Sequence, residues 1–180
     1  QVPTGGNVGT PNLSRSNVCA TNINDPTPGA WSAEQSVWFS FRAPASGHAI
    51  IEAESDLPAP FGTDAVDLQL ALYSTNNNTC TGTLTYIDGA YSILGFDEEL
   101  EVRCLDPNRI YWIMVDGSGL NVDGIFDIRV RDGGIPPAPN DVICNALPLG
   151  QPAPNGTVGL NNQNNFCADN IFEPIPSNWG

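Results

Sequence analysis

His48 is the single histidine of this 180-residue chain, beside five cysteines and twenty Asp and Glu. A Ser–His–Asp or Cys–His relay needs its imidazole in a cleft next to a nucleophile. His48 stands at a strand start after "PASG" (44–47), on the polar side of an alternating run, so it is expected to face solvent. The carboxylates of "FDEELE" (96–101) read as a solvated turn and strand face rather than an acid/base pair. No phosphate loop, CxxC or HExxH is present. The expectation is that the chain is not an enzyme and has no catalytic or cofactor-binding residue.

Metal chemistry has one main candidate. "DGSGLNVDG" (116–124) gathers Asp116, Ser118, Asn121 and Asp123 in a Gly-rich loop, a hard-oxygen set that suits Ca²⁺. The spacing is not that of an EF-hand, and a plain hydrogen-bonded turn explains the same residues. A second acidic loop is "FGTDAVD" (61–67). No cofactor is expected, with Ca²⁺ near Asp116 and Asp123 as the one ion to be tested. Sugar stacking is a further possibility for Trp31, Trp38 and Tyr73. Three N-x-S/T triplets, at Asn12, Asn77 and Asn155, read as incidental.

The elements that must carry these residues are short strands. "SVWFSFR", "GHAIIEAE", "VDLQLALY", "TLTYID", "ELEVRC" and "IFDIRVR" alternate with period two between Gly, Pro, Asn and Asp, and none shows a sustained helical period. The alternation assigns Val37, Phe39, Phe41, Val66, Leu68, Leu70, Leu72, Leu100, Val102, Cys104, Phe126, Ile128 and Val130 inward. "RIYWIMVD" is apolar on both faces, which predicts a central strand, with Trp112 and Met114 placed in the core. The class is all-β: an antiparallel β-sandwich of two sheets.

One phrase occurs twice. "CATNINDPTPGAW" (19–31) and "CADNIFEPIPSNW" (167–179) share seven of thirteen positions at a constant offset of 148, and Asp25 becomes Glu173. Upstream, Asn17 falls on Asn165. Trp31 recurs as Trp179, which favours a structural over a sugar-stacking role. The organisation predicted is a lead-in of one repeat (1–30), a sandwich core (31–132), a Pro-rich linker (133–140) and the lead-in of the next repeat (141–180).

The cysteines are read on the same frame. Five cysteines in an acidic, Lys-free, Asn-rich chain point to an oxidising compartment, against the alternative of five reduced thiols. A Cys80–Cys104 bridge would contribute about 3 kcal/mol in the chain-entropy model. Cys144 is expected to bond Cys167, both belonging to the second lead-in, which leaves Cys19 unpaired. A formal charge of −14 argues against nucleic acid and anionic membranes as partners. No apolar stretch approaches a membrane span.

"NDVICNALPLG", "VWFSFRAPASG", "DLQLALY" and "YWIMVDGSG…GIFDIRV" resemble, in that order, the tandem extracellular repeats of large surface adhesins from gliding and type IX-secreting bacteria. Those repeats are related to the bacterial pre-peptidase C-terminal domain. The resemblance covers roughly 17–132 and again 140–180; where the family often has "CNDD", this chain has "CLDP" (104–107). It implies a jelly-roll-like sandwich and a structural or adhesive bead of a long extracellular, cell-surface protein or filament. Neighbouring repeats or subunits would be its partners, and surface glycans would be ligands. The alternative is a carbohydrate-binding or other ligand-binding accessory module.

Overall fold

The structure, a computed structural model, describes residues 15–29, 31–55, 67–92, 97–119, 122–134, 146–161, 163, 165, 167 and 168. The chain divides into two compact units, Gln1–Gly134 and Ile135–Gly180.

The first unit is the sandwich. Its strands are β1 (Arg15–Ser16), β2 (Val37–Arg42), β3 (Ala49–Ser55), β4 (Leu68–Thr75), β5 (Leu84–Tyr91), β6 (Glu98–Val102), β7 (Ile110–Gly117) and β8 (Ile125–Asp132). They form two four-stranded sheets, ordered β1-β8-β3-β6 and β2-β7-β4-β5, with every pairing antiparallel. Only the β4–β5 connection stays within one sheet; all the others cross between sheets. That order is a jelly roll, so the all-β two-sheet sandwich read from the sequence is the fold.

The core lies between the sheets because each strand turns its apolar alternates inward. Phe41, Ala49, Ile51, Ala53, Leu68, Leu70, Leu72, Leu100, Val102, Phe126 and Val130 are buried there, with Val37, Phe39 and Ile128 packed at its margin. Phe39 of one sheet meets Phe126 of the other edge-on at 6.1 Å. Val66 lies outside the described residues.

Strand β7 departs from the expected facing. It is central, as predicted, and lies between β2 and β4, but Tyr111, Ile113 and Val115 fill the inter-sheet core. Trp112 and Met114 belong to a second cluster with Ala71, Tyr73, Trp38, Ala33 and Trp31. That cluster sits on the outer face of the β2-β7-β4-β5 sheet. Ala71, an outward alternate between Leu70 and Leu72 of β4, is fully buried there. Cys104, expected inward, is instead exposed: β6 ends at Val102, and Cys104 takes a left-handed φ of 62°.

The two outer faces therefore differ. On β8-β3-β6, Arg129 bonds Glu52 at 2.6 Å and also pairs Glu54, while Arg131 reaches Glu52 at 3.2 Å and Glu99 at 3.4 Å. Arg129, Glu52 and Glu99 are direct cross-strand neighbours. This face is a solvated charge ladder, and the opposite face is apolar.

In the second unit, residues 146–161 carry no helix or strand and are exposed throughout.

Candidate functional site

The apolar outer face needs a cover, and the segment before β2 provides it. Within 17–36, Trp31 and Ala33 pack on Ala71, Tyr73, Met114, Trp38 and Trp112. Polar side chains then fix this strap. Asn17, 1% exposed, is the deepest. Its Nδ2 donates to the carbonyls of Gln35 (3.0 Å) and Val122 (3.4 Å), and its Oδ1 accepts from the Gly124 amide at 2.8 Å. Its own carbonyl accepts from the Ala20 amide at 2.9 Å, which closes a turn with Cys19 at φ 61°.

Asn22 Nδ2 donates to the Ala33 carbonyl at 2.7 Å. Asp25 uses both oxygens: Oδ1 accepts from Trp38 Nε1 at 2.9 Å, and Oδ2 accepts from the Ser36 hydroxyl. Its charge also reaches Tyr73, whose phenol is pushed up to about 12 by burial first and then by Tyr86 and Asp25. Trp38 and Tyr73 lie 5.4 Å apart between ring centroids, and Tyr73 meets Tyr86 edge-on at 5.7 Å.

Asp116 anchors the end of the strap. It is fully buried, and its carboxylate accepts from the backbone amides of Glu34 (2.6 Å), Gln35 (2.9 Å) and Gly117 (2.8 Å). The candidate calcium ligand thus serves as a backbone staple. Asp123 is partly buried, and Asn121 lies outside the described residues. Among the described residues no three His, Cys, Asp or Glu side chains group as a metal site.

His48 is not solvent-facing, contrary to expectation: it is 4% exposed. Its Nε2 meets Glu101 Oε1 at 2.8 Å, and Glu101 also receives Arg103 Nη2 at 2.7 Å. Gly133 makes room for the ring, since a Cβ there would run into the imidazole. The reason is register: His48 lies just before β3 and is closed over by Gly133, 85 residues later, and Glu101. Arg103 first and His48 second hold the Glu101 carboxyl below its ordinary value.

The cysteines also differ from expectation. Among the described residues Cys104 and Cys167 are disulfide-bonded, and Cys19 and Cys80 are free and exposed. Cys144 lies outside the described residues. With Cys80 free, the Cys80–Cys104 bridge does not form. With Cys19 also free, a Cys144–Cys167 bridge would leave Cys104 no partner, so that pairing falls too. Sequence spacing does not reveal that β6 ends before Cys104 and turns it outward.

An open groove is lined by Glu52, Ala53, Glu54, Asp97, Glu98 and Glu99. Glu98 is buried at its edge, and Glu98 Oε1 and Asp67 Oδ1 have no hydrogen-bond partner among the described residues. Burial first, then the charges of Asp67 and Asp97, raise the Glu98 carboxyl; burial also raises Asp67, against a hydrogen bond from Ser118. No sequence signal marks this pair. The strap positions, by contrast, had a signal: Asn17, Asn22 and Asp25 all recur, Asp25 as Glu.

No protein-family model matches the chain, and no curated protein matches it.

Proposed function

We propose that this chain is a structural and adhesive repeat unit of a long extracellular bacterial surface protein or filament. The observation that carries the reading is the repeated phrase, because its first copy performs an architectural task. Asn17, Asn22, Asp25 and Trp31 tie the strap to the sandwich. A second copy of the same residues is an instruction for a second sandwich. Cys19 and Ile23 also recur, yet both are exposed, Ile23 at 73%. Packing within one unit does not account for their recurrence, and contact with a neighbouring repeat does.

A disulfide suits the extracellular setting, and no helix among the described residues is long and apolar enough to cross a membrane. The ligand-binding alternative loses its aromatic platform. Tyr73 is buried, Trp38 is engaged by Asp25, and Trp31 lies on the covered cluster. The length of the native polypeptide on a denaturing gel tests the proposal: a ladder or a product of many repeats is expected, and a native chain of one sandwich would refute it. A glycan array separates spacer from binder, with no hit expected for the isolated chain.

A further inference from the structure

The two copies of the repeated phrase share a sequence, and where both are described, at the turn that opens them, they share a backbone conformation. In the first, the Asn17 carbonyl accepts from the Ala20 amide at 2.9 Å and Cys19 sits at φ 61°. In the second, the Asn165 carbonyl accepts from the Ala168 amide at 3.2 Å and Cys167 sits at φ 59°. A non-glycine residue in the left-handed region is uncommon, so the same excursion at the same step of two copies marks one local device. Its surroundings differ. Asn17 is buried against Gln35, Val122 and Gly124, while Asn165 is exposed.

The receptor for such a device is also defined. It consists of the Gln35 and Val122 carbonyls and Gly124 amide for the asparagine, and the Ala33 carbonyl for the second asparagine. Trp38 Nε1 and the Ser36 hydroxyl receive the carboxylate. The covered aromatic face takes the tryptophan. In this chain's sandwich those groups are taken by Asn17, Asn22, Asp25 and Trp31. The sequence writes a matching set, Asn165, Asn170, Glu173 and Trp179.

We infer that residues 165–179 are a docking strap whose receptor is the β2-β7-β4-β5 outer face of a second sandwich of the same kind, where they take the place that residues 17–31 take on their own, with Cys167 disulfide-bonded where Cys19 is free. The inference rests on the repeat-unit reading and names the partner surface within it. Chemical complementarity is kept at each anchor: Glu173 replaces Asp25 as the acceptor for an indole N–H and a hydroxyl, one methylene longer. The contact is heterologous, since strap and receptor are different surfaces, and so it propagates as a chain of sandwiches rather than closing a two-fold pair.

Two experiments on the full chain test it. In the first, residues 17–31 are replaced by the sequence of 165–179, and a control receives the same residues scrambled. The exchanged chain is expected to unfold cooperatively with a midpoint within about 5 °C of the parent, and the scrambled control well below it. An exchanged chain as weak as the control overturns the inference.

In the second, Asn17→Ala, Asn22→Ala and Asp25→Ala together free the receptor, and sedimentation velocity follows assembly. Concentration-dependent oligomers are expected, because the neighbour's 165–179 fills the vacated face. Adding Asn165→Ala, Asn170→Ala and Glu173→Ala should weaken that association by about tenfold or more, the effect of unpairing a buried polar anchor. Oligomers unaffected by the second set, or a folded triple variant that stays monomeric, refute the docking. Should the triple variant not fold, the exchange decides alone. A single-sandwich native polypeptide would sink the tandem-array reading without touching either result, so the two failures are distinguishable.

Discussion

Asp116 shows how a residue that looks like a ligand can be a staple. A buried carboxylate is costly unless its oxygens are satisfied, and here three amide donors do so. Asp116→Ala would leave those donors unpaired, and a loss of about 3 kcal/mol in urea denaturation is expected. A loss under about 0.5 kcal/mol would mean that water replaces the carboxylate. Glu98 and Asp67 predict the opposite kind of effect. Both carboxyls are raised, mainly by burial, so the folded chain binds their protons more tightly than the unfolded one. The stability they give is complete below the ordinary carboxylate value, and it is lost as pH rises through the raised folded values. Glu98→Gln should therefore stabilise the chain at neutral pH, with the advantage shrinking toward about pH 4. Thermal melts of parent and variant across that range check it; an advantage that grows in acid would reverse the assignment.

At the scale of elements, alternation located the core wherever one face was polar. The outer partners of Leu68, Leu70 and Leu72 include Gln69, and those of Leu100 and Val102 are Glu99 and Glu101, so the inward side was legible. Leu70→Ala is expected to cost about 2–5 kcal/mol. A change below about 0.5 kcal/mol would say that Leu70 does not face the core. Alternation failed on β7, where "IYWIMV" has no polar residue to mark the outside. It failed because a strap some eighty residues earlier in the chain covers that face, and strand periodicity cannot see a cover. Met114→Lys reads that cover. It should release the strap while leaving the inter-sheet core in place. Cleavage by a protease within 17–36 should rise, and the amides of β3 should keep their exchange protection. Global loss of protection would place Met114 in the main core after all. The strap itself was legible only through recurrence: Asn17, Asn22 and Asp25 stood out because the chain writes them, or their like, twice. His48 and the cysteine pairing were illegible for one reason. Each depends on which distant residues the register brings alongside, Gly133 and Glu101 in one case and the end of β6 in the other.

Across the whole molecule, charge and fold pull apart. Twenty acidic residues face six arginines, and among the described residues Arg103, Arg109, Arg129 and Arg131 are in ion pairs with carboxylates. Exposed pairs of this kind contribute little each, whereas a net charge of −14 repels itself throughout the compact state. Salt screens the pairs and the repulsion alike, and the repulsion outweighs the pairs. The melting temperature is therefore expected to rise as NaCl goes from about 10 mM to about 0.15 M, where the Debye length falls from about 30 Å to about 8 Å. Calcium then separates screening from binding. With the Asp116 carboxylate given to three amides and no cluster of three metal-binding side chains among the described residues, CaCl₂ should shift the melt no more than NaCl of equal ionic strength. An excess shift with calcium that Asp123→Asn abolishes would restore the loop at 116–124 as a cation site. An excess shift that survives that substitution but is lost in Glu98→Gln would move the site to the acidic groove beside β6.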